Sequence, residues 1–293
     1  MDLRAPRWVE RADVFAARPQ AAEGVRFGGL WVAGSLCGLA RPAIAVVGSR
    51  APSDGGRDRA RALGRSLAQA GICVVSGLAL GIDGAAHLGA LEGGGLTIGI
   101  LGGGHRHFFP RANRALAQRI LDANGAVVSP YAPEEPAYPS NFLQRNGVVV
   151  ALADAVVIVE AAARSGALNT ASWAAARGIP VFAFPGDVDR PKAAGCNALI
   201  RDGATLVRDA ADVLADLGLA NGQTPLPLQA ETRTDPLERT LVDALGDGPV
   251  TLDALIERSG AAAGAVLATL VRLELARAVE RRNDGTFAYT LMQ

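Results

Sequence analysis

Ala43-Ile44-Ala45-Val46-Val47, followed by Gly48-Ser49-Arg50, is the stretch from which the fold is read. A short run of small and β-branched apolar residues ends in a glycine, and an amphipathic stretch of helical length, 55–70, follows it. Working outward, the same alternation repeats. Apolar runs fall at Ile72–Val75, Thr97–Leu101, Ala126–Val128, Ala155–Val159, Val181–Phe184 and Thr205–Val207. Helical candidates lie at 82–92, 111–124, 141–152, 167–178 and 209–216. Strands that are apolar on both faces and joined by helical crossovers specify a doubly wound parallel sheet. Upstream, residues 1–42 show weak periodicity with strand character around Leu30–Ala33, and 1–25 stay unassigned.

Downstream the pattern changes. Residues 218–236 replace the apolar runs with Gly, Pro, Gln and Thr and read as a linker. The compact remainder, 237–293, offers helices at Leu237–Leu245, Leu252–Ser259 and Ala263–Leu275, then two strand-like pieces around the turn signal RRNDG. Three helices and a hairpin make a winged-helix module containing a helix-turn-helix. The α/β domain is therefore expected over 26–217 and the winged helix over 237–293.

Composition bounds the function classes. At 293 residues, 49% hydrophobic and 20% charged, the chain suits one large α/β domain plus a small accessory one. Net charge is zero, but residues 235–293 carry −3 and 1–234 carry +3, so any polyanion belongs on the larger domain. Lys192 is the sole lysine, so the positive charge is arginine, whose planar fork matches phosphate. Cys37, Cys73 and Cys196 form neither a disulfide framework nor a zinc pattern. The N-terminus has no apolar signal core, and the longest apolar stretch, Val148–Val159, is broken by Asp154. A reducing cytoplasm is the expected location, without membrane contact.

Ligands of open α/β sheets bind outside the carboxyl ends of the strands, so those loops carry the functional reading. Gly48-Ser49-Arg50 reads either as an anion pocket, with backbone N–H groups backed by a guanidinium, or as an ordinary strand-to-helix turn. It is neither GxGxxG nor GxxxxGK[ST], so no dinucleotide or triphosphate site is indicated. Ser76-Gly77-Leu78-Ala79-Leu80-Gly81 reads as a second backbone cradle. Asp83 and His87, one turn apart, read as a cap bonded to a histidine. Gly102–Gly104 with His105, Arg106, His107, Arg111 and Arg114 reads as a solvated basic rim, and the HxH lacks a third metal ligand. Phe142 with Arg145 and Asn146 suits base stacking and a phosphate, or a core aromatic beside a surface arginine. Glu160 closes a strand, and Arg164-Ser165-Gly166 opens a helix whose N-terminus favours anions or is simply capped. Three or four phosphate-friendly turns along one sheet edge suit a polyphosphate chain better than a single phosphate. A GxSxG elbow, a Cys–His pair and paired acids with metal spacing are all missing from the sequence.

These segments together resemble a known family. VVGSR, SGLALGIDGAAHLGAL, GGLTIGILGGG, FFPRAN, NFLQRN, VVIVEA, RSGALNTASWAA, FAFPGD and GCNALIRDGATLV occur in the order and spacing of the DNA-processing protein A family (DprA, also called Smf), over about 26–215. The winged-helix module also resembles that family's. The resemblance implies an extended Rossmann-like fold that binds single-stranded DNA without catalysis or cofactor. It also implies protection of incoming strands in natural transformation, loading of the RecA recombinase, and a homodimer formed through the Rossmann-like domain. It puts the pocket arginine on Arg50, backbone contacts on Gly48, Ser49, Ser76 and Gly77, the aromatic on Phe142 with Arg145 and Asn146, and the SG turn on Ser165-Gly166. With Ala79 in the second turn and Arg164 ahead of the fifth, these form the expected DNA-contacting set. The chain departs from the pattern at Pro139, where a basic residue is usual, at Gly147, where a second arginine is usual, and at Ser129-Pro130, where Ser-Glu is usual. It is also expected to lack the N-terminal helical domain of many members.

Two other readings are weighed. A nucleotide phosphoribohydrolase of the lysine-decarboxylase-like Rossmann family would show PGGxGTxxE where this chain has RSGALNTASWA. A winged-helix transcription regulator would need a basic face on a module that is acidic here.

Overall fold

Each apolar run of the first two hundred residues becomes a strand buried on both faces. In the computed structural model, which describes Leu3 and residues 5–16, 27–219, 236–246, 249–275, 279–281 and 286–289, the chain divides into two compact units, Met1–Asn221 and Gly222–Gln293. The first is built on β1 (Arg7–Glu10), β2 (Gly29–Gly34), β3 (Ala43–Val47), β4 (Cys73–Ser76), β5 (Thr97–Ile100), β6 (Ala126–Ser129), β7 (Ala155–Ile158), β8 (Val181–Ala183) and β9 (Thr205–Leu206). They form one sheet in the order β1-β2-β6-β5-β4-β3-β7-β8-β9.

From β6 to β9 every pairing is parallel, as the alternation of runs and helices requires. The other edge, built from residues whose pairing the sequence did not assign, is antiparallel: β2 to β6 and β1 to β2. The connection explains the direction. An antiparallel β2 ends at the side of the sheet where β3 begins, so the short segment Ser35–Pro42, with a 3-10 turn at Leu36–Ala40, joins them. A parallel β2 would need a crossover helix that the sequence does not supply. Residues 1–25, unassigned from sequence, thus contribute β1 and the one-turn α1 (Arg11–Val14).

Strand alternation sorts the helices. Ile44 and Val46 face α2 (Asp54–Gln69), α3 (Ile82–Glu92) and α8 (Ala210–Asp216); α4 (Arg114–Asp122) covers Ala33 and Val127 on the same side. Ala43, Ala45 and Val47 face α5 (Pro139–Ala151), α6 (Gly166–Ala176) and α7 (Ala194–Arg201). Burying such side chains stabilises by about 1.5–3 kcal/mol each, so the two clusters fix the layer order. Helix α7 was not foreseen in the GCNALIRD segment. The α2–α3 pair packs backbone to backbone: a Cβ on Gly64 would stand 2.2 Å from the Ala86 carbonyl, and one on Gly89 1.9 Å from that of Arg61.

The second unit holds α9 (Pro236–Gly246), β10 (Val250–Thr251), α10 (Leu252–Ser259), α11 (Ala263–Leu275), β11 (Val279–Arg281) and β12 (Thr286–Tyr289), with sheet order β10-β12-β11. Leu241, Leu245, Leu255, Val266, Leu270 and Phe287 make its core. Gly260, at φ +62°, ends α10, and α11 leaves at 115° to it, a helix-turn-helix corner. Most of the expected linker and the RRNDG turn beyond Arg281 lie outside the described residues. No single described helix is long and apolar enough to cross a membrane.

Candidate functional site

The chain leaves β3 towards β4 on one side, while β7 pairs with β3 on the other, so a crevice opens between the loops after β3 and β7. It encloses about 440 Å³. Gly48, Ser49 and Arg50 form one wall, Ser165, Gly166 and the first turn of α6 another, and Phe142 and Asn146 of α5 the third, with Gly77 and Ala79 beside them. Of the expected set, Ser76 and Arg164 stand off this wall. Ser76 is fully buried and donates its hydroxyl proton to the Val46 carbonyl at 2.6 Å, and Arg164 is exposed outside the crevice.

Electrostatics inside the loops redistribute the expected roles. The helix that follows Gly48-Ser49-Arg50 does not offer its N-terminus to a ligand. The Glu160 carboxylate accepts from the Ser53 amide at 2.9 Å and from the Ser53 hydroxyl, and Ser53 in turn caps α2 through Gly56. An internal carboxylate already occupies that end of the helix dipole. The Ser49 amide is likewise taken, donating to the Glu160 carbonyl at 2.7 Å, while its hydroxyl accepts from Ala51. The second cradle is closed too: the Asp83 carboxylate accepts from Gly77 at 3.0 Å and Ala79 at 3.4 Å, and Asn113 donates to the Leu78 and Ala79 carbonyls. What faces the crevice is the exposed Arg50 guanidinium, the Ser49 hydroxyl and the N-terminus of α6, where Ser165 caps Ala167 and Gly166 has open space around it.

Arg145 is the largest departure from expectation. Rather than a surface arginine it is 3% exposed, and one terminal nitrogen donates to both the Gly77 and Ile100 carbonyls. Gly77 makes room for this guanidinium, since a Cβ there would stand 2.6 Å from it and displace it. Burial lowers the Arg145 pKa to about 10, the nearby Asp83 charge offsetting only part of the loss. Burial likewise raises the Asp83 carboxyl above its ordinary value. His87 does not bond Asp83 as expected. Thr97 gives its proton to the Val74 carbonyl, so its oxygen accepts from His87 Nδ1 at 2.7 Å, and Nε2 is buried with no hydrogen-bond partner among the described residues. Burial, reinforced by Arg145, drops the His87 pKa to about 3, so this ring is neutral. In the third loop His105 is also buried, bonded to the Val127 carbonyl, and Arg106 pairs with Glu134 at 3.0 Å, so the rim is less basic than its sequence suggests.

Phe142 organises the mouth. The Arg50 guanidinium lies 5.3 Å above its ring centroid, Arg145 lies 5.9 Å from it, and Phe109 meets it edge-on at 5.8 Å. Gly102 makes room for it, because a Cβ there would be 2.5 Å from the ring. Phe109, 52% exposed, was not singled out from sequence; the FFPRAN segment was the signal that could have found it. Two departures from the family pattern have local reasons. Pro139 occupies the first turn of α5, where proline is preorganised, and Gly147 lies against the Trp173 ring of α6. Among the described residues no group of three or more His, Cys, Asp or Glu could hold a metal ion.

The fold and site define a Rossmann-like α/β protein with a cation-lined crevice at its switch point and a winged-helix unit on the same chain. Residues 28–218 match the DNA recombination-mediator protein A family, and residues 224–285 match the DprA winged helix domain. The chain belongs to that family, DprA or Smf. A DprA protein of Mycobacterium tuberculosis is 41% identical over 262 residues, which are 87% of this chain and 67% of that one. The X-ray structure of DprA from Streptococcus pneumoniae superposes with TM-score 0.67 at 35% identity, over 73% of this chain and 75% of the other. A structure describing the single-stranded DNA binding mode of DprA from Helicobacter pylori superposes with TM-score 0.62 at 28% identity, over 72% of this chain and 94% of the other.

Proposed function

We propose that this chain binds single-stranded DNA in the β3/β7 crevice and acts as a recombination mediator rather than an enzyme. The observation that carries the reading is the grouping of an exposed guanidinium, a helix N-terminus and the Phe142 ring in one crevice, with the exposed Phe109 packed edge-on against that ring. Arg50 and the α6 N-terminus take phosphate; Phe142 and Phe109 offer apolar faces to a base. Gly48 and the Ser49 hydroxyl line the approach, whereas Gly77, Arg145 and Asn146 shape the wall and Ser76 lies buried behind it. Asn146 donates to Asn169 at 3.1 Å, tying α5 to α6. The two carboxylates nearest the crevice are already committed, Glu160 to capping α2 and Asp83 to the second turn, which weighs against the phosphoribohydrolase alternative. The winged unit is a secondary surface at most. Its net charge of −3 over 235–293 works against phosphate. Family membership and the mediator activity that its name describes support handing the strand to the RecA recombinase during natural transformation, in the cytoplasm and as a homodimer.

Fluorescence anisotropy with single-stranded DNA, duplex DNA and RNA at two salt concentrations, run beside an AMP hydrolysis assay, tests the reading. Preference for the single strand with no base release is the expected result. Release of adenine from AMP, or equal affinity for duplex, would overturn it.

A further inference from the structure

The crevice holds about 440 Å³, the scale of a site for one small molecule, whereas single-strand sites span ~4–16 nucleotides. A strand seated there has to continue over the surface. On the side of α2, α3 and α4 a second groove of about 560 Å³ adjoins the crevice, and Arg50 lines both. The turn at Leu80-Gly81 lines this groove, with Gly81 packed against the Arg50 backbone. Gly81 itself carries no side chain, and the turn packs so close to the β3 loop that a Cβ would stand 2.3 Å from the Ser49 carbonyl.

The groove has the two chemistries that a single strand needs. Arg57, on the second turn of α2, and Arg119, on the last turn of α4, line opposite walls, both exposed. Neither forms an ion pair among the described residues. Arg61 also lines the groove but is held by Glu92, so it counts for little, and Asp58 subtracts one charge. Arg50, Arg57 and Arg119 remain in excess. Between them Leu80, 44% exposed, with Leu88 and Leu116, supplies apolar surface for bases.

We propose that this groove is a second DNA subsite, which carries the strand out of the crevice past Arg50, with Arg57 and Arg119 on successive phosphates. The proposal rests on the crevice being the primary site. The test uses the full chain and two oligothymidines, about 4 and about 16 nucleotides long, in anisotropy titrations across salt. Arg57→Ala with Arg119→Ala should leave the short oligomer unchanged. It should weaken the long one about tenfold at low salt and lower its salt slope by about 1.4, two single-strand contacts. Asp58→Asn should tighten the long oligomer alone. Wild-type affinity and slope for the long oligomer in the double variant, or equal losses for both lengths, would overturn the subsite. Arg50→Ala separates the two readings: if it spares both lengths, the crevice itself is wrong, and if it weakens both while the double variant weakens neither, only the groove fails.

Discussion

Arg50 and Arg145 flank the same ring, and burial gives them opposite roles. Arg50 is exposed and available to a phosphate, so its removal should cost binding and not folding. Arg50→Ala is expected to weaken single-strand binding for all sequences alike and to lower the salt slope by about 0.7, since a phosphate contact carries no base information. Its melting temperature should barely move, because an exposed arginine contributes little to stability. Arg50→Lys should recover part of the affinity, lacking the bidentate fork. Unchanged affinity and slope for Arg50→Ala in anisotropy titrations would reduce the GSR segment to a turn. Arg145 is buried against two carbonyls and balances Asp83. Arg145→Met would leave the buried Gly77 and Ile100 carbonyls without their donor and remove the charge that favours ionised Asp83, so a loss of about 1–3 kcal/mol or more is expected in urea unfolding. Adding Asp83→Asn should return part of it, a coupling that a merely local packing defect would not give.

At the scale of elements, α2 and α3 are held by the closest approach in the larger unit. Glycine in a helix interior ordinarily costs about 0.8–1 kcal/mol relative to alanine, so Gly→Ala should stabilise wherever there is room. At Gly89 there is none: the new Cβ would stand 1.9 Å from the Arg61 carbonyl, a backbone atom that cannot move without shifting α2. Overpacking of about 1–3 kcal/mol or more exceeds the propensity gain, so Gly89→Ala should destabilise. At Gly55, in the first turn of α2, the nearest atom is the tip of Arg59 at 3.8 Å, and Gly55→Ala should be neutral to stabilising. Opposite signs of the two midpoint shifts in denaturant are the outcome to look for; the same sign for both would mean that the α2–α3 contact is looser than described. The capping of α2 belongs to this scale as well. Glu160, 107 residues after Ser53 in sequence, fills the site expected of the GSR loop.

For the whole molecule, the charge division of the sequence and the two compact units lead to one expectation. Limited proteolysis should cut first within 218–236, and the fragment ending there should keep single-strand affinity within a few-fold. A loss of 100-fold, about 2.7 kcal/mol, would make the winged unit a principal contact. The sequence by itself determined the parallel core and its helices, because strands apolar on both faces and amphipathic crossovers leave period and length signals that need no knowledge of neighbours. It also marked Gly48–Arg50, Phe142 and Ser165-Gly166, which do meet in one crevice. Only the tertiary structure decided that β1 and β2 extend the sheet antiparallel, since strand direction depends on where the chain must next arrive. Only it decided which polar groups are spent internally. Arg145 and Asp83 carry the same residue types as exposed functional groups, and Ser49 the same amide as any phosphate-binding loop. Their partners are carbonyls, amides and carboxylates that lie far away in sequence or cannot be told from any other backbone, and hydrogen bonds of that kind leave no periodicity to read.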